Sequence, residues 1–296
     1  MKIFVTGATG FIGSAVVQEL INAGHQVLGL ARSDANAEAL IAAGAGVHRG
    51  DLQDAESLRS GAAASDGVIH TGFIHDFARF AEMCEVDRLA IEALGSALLG
   101  TNKPLLVTSG TGMLAPGKLG EETDRAVPGP NPRQSEQAVD ALAAKGVRAS
   151  VVRLPPSVHG VGDHGFVPIL INFAREKGVS IYTGDGQNQW PAVHRLDAAK
   201  LFRLAIEKNP EPGTRFHGVD EQGVAFKEIA AVIGKRLNVP VLSKSPEEAS
   251  AHFSWFAHFA AMDCPSLSTY TREYLGWQPA QSGLIEDIDQ EAYFKV

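Results

Sequence analysis

Thr6-Gly7-Ala8-Thr9-Gly10-Phe11-Ile12-Gly13 follows the apolar run Ile3-Phe4-Val5 and opens a stretch where Phe11, Ile12, Ala15, Val16, Leu20 and Ala23 share one helical face. Strand, glycine-rich turn and helix together form the arrangement that receives a dinucleotide. One glycine permits the tight turn, another lets the backbone approach a pyrophosphate, and the last lets the helix pack close to the sheet. The helix N-terminus adds a field that favours negative charge. The position of these glycines between strand and helix matters more than their number, and Gly24 is placed to end the helix as a left-handed cap.

Outward from this segment, short aliphatic runs alternate with Ala/Leu-rich helical stretches, the pattern of βαβ units around a parallel sheet. The runs expected as strands are Lys2 to Thr6, Gln26 to Ala31, Gly46 to Arg49, Gly67 to His70, Pro104 to Thr108 and Arg148 to Leu154. The expected fold is α/β, a doubly wound parallel (Rossmann) sheet carrying a smaller C-terminal α/β lobe. Residues 1–155 read as the dinucleotide-binding domain and 156–296 as the substrate lobe, with 190–208 returning to the first domain as a helix. The break falls after Pro155-Pro156, where Gly-, Asp- and Asn-rich loops (160–165, 183–188) interrupt the regular alternation.

Composition narrows the function classes. Of 296 residues, 45% are hydrophobic and 20% charged, and no uncharged apolar run approaches the roughly 20 residues of a membrane span. A net charge of −8 argues against nucleic acid, whose binders present basic faces. Cys84 and Cys264 are too few for a disulfide framework and too far apart in sequence for a zinc pair. The histidines show neither HxxxH nor HExxH spacing, so no metal is expected. With a strand beginning at Lys2 there is no room for a signal segment, and a cytoplasmic protein acting on a small-molecule substrate is the expectation. The aromatic stretch from His252 to Phe259 reads as core packing, as a wall of a hydrophobic cleft, or as the contact of a homodimer.

The GxxGxxG spacing, with its flanking Thr and Phe-Ile, resembles the extended short-chain dehydrogenase/reductase family, in its epimerase/dehydratase-like branch. Further motifs follow in family order. Gly50-Asp51-Leu52 is similar to the adenine-contacting segment, and Val68-Ile69-His70-Thr71-Gly72 to the fourth-strand exit beside the cofactor. Thr108-Ser109-Gly110-Thr111-Gly112 is similar to the Ser/Thr loop after the fifth strand, and the run from Val152 to Gly160 to the nicotinamide-side loop. Val193 to Ala199 and Leu275 to Pro279 match later, individually weaker segments. The resemblance implies that Gly7, Thr9, Gly10, Phe11, Ile12, Gly13, Asp51, Leu52, Thr71, Gly72, Phe73, Pro155 and Ser157 bind the cofactor.

At the end of the second strand, where NAD-preferring folds carry an acidic residue for the ribose 2′-hydroxyl, stands Ala31-Arg32-Ser33. Arg32 can fork onto a 2′-phosphate and Ser33 can add a hydrogen bond, which favours NADP(H) over NAD(H). Against this, Arg32 can instead be a solvated strand end or stack on adenine, and Asp34 lies close by.

Ordinary members of the resembled family carry a YxxxK pair before the sixth strand. Here the first tyrosine is Tyr182, and the helix concerned begins Asn131-Pro132-Arg133-Gln134-Ser135. The HxxxR substitute of atypical subgroups is also incomplete, since Gly129 stands four residues before Arg133. Candidate catalytic residues are therefore Ser109 and Thr111, which would hold a substrate oxygen, Arg133 as an electrostatic group, and His159 as a proton donor, with His75 as its rival. His194 reads as structural, and the direction of Tyr182 is open. Hydride transfer to or from a small carbonyl or alcohol is the expected chemistry. The alternatives are a nucleotide-sugar epimerase/dehydratase and a non-catalytic NADP(H) sensor.

Overall fold

The computed structural model describes residues 1–127 and 131–295. Its main sheet joins β1 (Lys2–Thr6), β2 (Gln26–Ala31), β3 (Gly46–Arg49), β4 (Gly67–His70), β5 (Pro104–Gly110) and β6 (Arg148–Leu154). Five of these strands have the bounds read from the sequence, and β5 runs two residues further. Shorter strands follow: β7 (Ser157–His159), β8 (Ser180–Thr183), β9 (Gln189–His194), β10 (Arg215–His217), β11 (Glu221–Ala225) and β12 (Val241–Lys244). The order of the seven-stranded sheet is β10-β6-β5-β4-β1-β2-β3, with every pairing parallel. This is the doubly wound α/β fold.

Side chains alternate across the sheet, so both faces must be covered. Ile3 and Val5 lie in the core beneath α1 (Phe11–Asn22) and α2 (Asp34–Ala42). Phe4 points the other way, into the core shared with α3 (Ala55–Ala63), α4 (Phe80–Ser96) and α5 (Ser135–Ala143). As read, Gly24 takes a left-handed φ of 82° just past α1.

After α6 (Phe166–Lys177) in the smaller lobe, the chain comes back to the large domain: α7 (Arg195–Lys208) packs in the same core as α1, and β10 then becomes an edge strand. The return thus continues beyond 190–208 to His217. In the lobe itself β9 lies between β11 and β7, and β8 pairs with β12. Trp190, Phe226, Phe253 and Phe256 form its core with α8 (Phe226–Leu237) and α9 (Pro246–Phe253). The short helices α10 (Ala257–Ala260), α11 (Thr269–Leu275) and α12 (Leu284–Ile288) complete the chain. Among the described residues no helix is long and apolar enough to cross a membrane.

Candidate active site

Between β1 and α1 the glycines do what their spacing predicts. Gly7 adopts φ 65°, and a Cβ there would lie 2.7 Å from the Gly72 backbone, so this turn and the exit of β4 touch main chain to main chain. A Cβ on Gly13 would stand 2.0 Å from the Gly7 oxygen, which is how closely helix and turn pack. Gly10 is different: it is exposed, and its Cβ would meet only the Gly7 oxygen, at 3.2 Å. No side chain caps α1 and no acidic residue occupies its first turn. An open cradle beside an uncapped helix N-terminus fits a pyrophosphate.

The other cofactor candidates lie at the carboxyl ends of adjacent strands. Thr71, Gly72 and Phe73 follow β4, Arg32 and Ser33 follow β2, and Asp51 and Leu52 follow β3, with Thr9, Phe11 and Ile12 between them at the β1 turn. Buried Pro155 and Ser157 sit across β5, after β6. Among the described residues the Ser157 hydroxyl finds no hydrogen-bond partner, which leaves an open valence just after β6. Arg32 is exposed, its Nε 3.7 Å from Asp51 Oδ2. Ser33 accepts the Asn36 N–H as the cap of α2, and the neighbouring Asp34 is drawn to Arg49 at 2.6 Å.

Of the four expected catalytic residues, Arg133 is the one that remains partly exposed. Ser109 is buried and donates to Glu136 Oε1 at 3.0 Å. Thr111 is fully buried against Cys264, whose thiol burial pushes up to about 12 while a hydrogen bond with Thr111 acts in the opposite direction. His159 is buried on β7, its Nδ1 2.9 Å from Asp287 Oδ2, an oxygen that also accepts the Tyr293 hydroxyl. In this structure the Ser109 and His159 side chains are thus engaged with carboxylates, and Thr111 is enclosed beside Cys264. At the last residues of a strand the pleat decides which side chains face inward, and here the inward partners are built from distant segments. Gly129, the other half of the incomplete HxxxR pattern, lies outside the described residues.

Arg133 is held by a chain of buried polar groups. Its Nε donates to Ser135 Oγ at 2.8 Å and one terminal nitrogen to the Thr108 carbonyl at 2.9 Å, with the guanidinium 4.7 Å over the Phe73 ring. Ser135 donates to Asp87 Oδ2 at 2.6 Å, Asp87 faces His70 Nε2 at 3.2 Å, and His70 Nδ1 meets the Thr6 hydroxyl at 2.7 Å. Burial acts to raise the Asp87 carboxyl, but His70, Arg133 and Ser135 together hold it below the usual carboxylate range. A fixed anion thus orients Arg133 from behind, and the same chain reaches the strand that carries the glycine turn. Sequence reading missed Asp87. Its signal was a carboxylate falling on the apolar stripe Met83, Ala90, Ile91, Leu94 of α4.

A second buried cluster underlies β5 and β6. Arg153 forks onto Glu136 with two bonds of 2.8 Å, and Arg215 reaches the same carboxylate at 3.1 Å. Burial would raise Glu136, yet the two guanidiniums and Ser109 keep it below its ordinary value. Desolvation, with Arg153 alongside, lowers His217 to about 4, so its neutral ring accepts from Arg153.

The model of the NAD dependent epimerase/dehydratase family matches residues 3–217. The chain belongs to that family. An uncharacterised protein of Schizosaccharomyces pombe is 52% identical over 296 residues, covering 99% of this chain and all of that one. A 2-alkyl-3-oxoalkanoate reductase of Stenotrophomonas maltophilia is 32% identical over 221 residues, covering 70% of this chain and 66% of its own. Among solved structures, a dTDP-glucose 4,6-dehydratase of Streptomyces venezuelae superposes with a TM-score of 0.77 at 17% identity, covering 99% and 97% of the two chains. Family members include oxidoreductases, epimerases and dehydratases, and structural neighbours bind NAD, which agrees with the open cradle at Gly10.

Proposed function

We propose that this epimerase/dehydratase-family chain is an NADP(H)-dependent oxidoreductase that transfers a hydride to or from a small carbonyl or alcohol. The observation that carries the reading is the end of β2. Arg32 stands exposed where an NAD-preferring fold has an acid; of the carboxylates near it, Asp34 is turned onto Arg49 and Asp51 lies 3.7 Å from the Arg32 Nε. Ser33 accepts the Asn36 N–H as the cap of α2, which leaves its hydroxyl proton to donate, and Arg32 supplies the cationic contact. NADPH is expected to bind more tightly than NADH. Arg32→Ala should weaken NADPH roughly tenfold, about 1.5 kcal/mol, and leave NADH unchanged. Titration of both nucleotides against parent and variant checks this, and equal affinities in the parent would refute it.

When bound, the cofactor supplies the hydride. A guanidinium acts as a fixed cation and hydrogen-bond donor, so the part proposed for Arg133 is electrostatic, toward the oxygen on which negative charge develops. The proton then comes from water or from an imidazole at the cleft mouth. His75 lies beside Phe73 in the loop after β4 (ring centroids 5.2 Å apart), and His164 packs edge-on against Phe11 at 5.7 Å. Replacing Arg133 with alanine should lower kcat at least about tenfold, roughly 1.4 kcal/mol of barrier, with NADPH affinity little changed. Lysine should restore only part, because it cannot bond both Ser135 and Thr108 in the same plane. Steady-state kinetics and nucleotide titration separate the two effects.

A further inference from the structure

α1 and α7 lie side by side and point the same way, because their contacts keep one offset. Arg203 Nε bonds Glu19 at 2.7 Å, and the Arg195 guanidinium lies 4.9 Å from the Phe11 ring centre, each pair separated by 184 residues. The two helix N-termini therefore stand together at the glycine turn. Further along the pair, cations meet carboxylates: Arg203 also reaches Glu207 at 2.8 Å, and His25 Nε2 faces the other oxygen of Glu207 at 2.8 Å. At the turn, Arg195 meets a ring.

Among the described residues Arg195 forms no ion pair, and its one hydrogen bond, of the five its guanidinium can donate, goes to the Val161 carbonyl at 3.2 Å. The acids close in sequence are engaged elsewhere. Asp163 accepts the Gly165 N–H at 2.7 Å, and Asp197 accepts the N–H groups of Ala280 and Gln281 at 3.0 and 2.9 Å. A cation at the first position of a helix is opposed by that helix's own field, and here the N-terminus of α1 adds to the opposition. The chain nevertheless makes room for it. Gly160, at φ 137°, lets the loop pass where a Cβ would stand 3.1 and 3.2 Å from Arg195 Cγ and Cδ. Outward the guanidinium is open: a Cβ on Gly162 would find Arg195 Nη1 at 3.9 Å and, apart from its chain neighbours, no other atom within 4 Å. Gly10, Val161 and Gly162 around it are exposed. Residues 3–31 contain no lysine or arginine, so the turn by itself offers an anion only backbone N–H groups and a helix field.

We infer that Arg195 supplies the charged contact to the pyrophosphate of the dinucleotide, reaching the glycine turn from α7. Three arginines then divide the ligands: Arg32 the 2′-phosphate, Arg195 the diphosphate and Arg133 the reacting oxygen. The inference rests on the reading of the glycine turn as the phosphate site and adds the cation which that turn lacks.

The test titrates NADPH and NADH against the full chain carrying Arg195→Met, which keeps a stem over Phe11 and removes the charge, and Arg195→Lys, which keeps the charge. Arg195→Met is expected to weaken both nucleotides by the same factor, at least about tenfold, so that the preference between them stays as in the parent, whereas Arg32→Ala moves NADPH alone. Arg195→Lys should recover most of the loss, and added KCl should weaken NADH binding to the parent more than to Arg195→Met. Parent-like affinity for both nucleotides in Arg195→Met would overturn the inference, as would equal losses in the Met and Lys variants accompanied by a lower unfolding temperature, the mark of a purely structural side chain. Gly10→Val measured alongside separates this inference from the reading beneath it. Binding lost in Gly10→Val and kept in Arg195→Met overturns the role of Arg195 and leaves the turn standing; binding undiminished in folded Gly10→Val overturns both.

Discussion

Gly10→Val is expected to give a folded protein that no longer retains a dinucleotide. Folding survives because Gly10 has φ −76° and ψ 174°, an extended conformation open to any residue, and because its Cβ would meet only the Gly7 oxygen at 3.2 Å. Binding does not survive, because the valine methyl groups would occupy the space through which the N-terminal N–H groups of α1 face an anion. A loss of at least about 100-fold, roughly 2.7 kcal/mol, is expected for NADPH and NADH alike, since the pyrophosphate is common to both. The neighbouring glycine provides the contrast. Gly13→Ala would place a Cβ 2.0 Å from the Gly7 oxygen, a clash of backbone with backbone, so it should lower thermal stability as well as affinity. Thermal unfolding and nucleotide titration on both variants distinguish the cases, and undiminished affinity in folded Gly10→Val would show that the turn is not the phosphate site.

The main sheet was legible because its signals are local. Each strand is a short aliphatic run bounded by glycine, charge or proline, and β1 and α1 flank a turn whose glycines are set by close backbone approach. The site was legible only where it is main chain. Ser109 and Thr111 lie at the expected strand end, but their directions depend on Glu136 and Cys264, and α5 and the lobe supply those from elsewhere in the sequence. His159 looked like a free imidazole because Asp287, 128 residues on, closes onto it. Arg133 was singled out from the sequence, but its anchor Asp87 belongs to a different helix. A single sequence does show that a buried charge requires a partner: Arg153 sits in Val151-Val152-Arg153-Leu154, a run too apolar for an unpaired guanidinium. It does not say which carboxylate answers.

The partner of Arg153 is the position where one substitution should cost the most stability. Glu136→Gln keeps the shape of the side chain and removes the one charge that, among the described residues, faces both Arg153 and Arg215 at about 3 Å in a buried setting. The expected loss is about 3 to 5 kcal/mol, since the Arg153 guanidinium is left deeply buried without an anion. Denaturant unfolding monitored by tryptophan fluorescence measures it, and a change below about 1 kcal/mol would mean that water screens the cluster. Acid offers the same test without mutation. Because the Glu136 carboxyl is held below its ordinary value of 4.5, its contribution is present above that value and is lost as pH falls through the lowered one. The parent should therefore weaken on acidification below about pH 4.5, and Glu136→Gln should weaken less steeply over the same interval. Replacing the pair together, as Glu136→Leu with Arg153→Met, should recover most of the loss, because Arg215 keeps Asp140 at 2.6 Å and no charge is stranded. Such recovery would place the cost in the unpaired cation and leave the cluster to the role its position suggests, a rigid floor beneath the strand ends that carry the site.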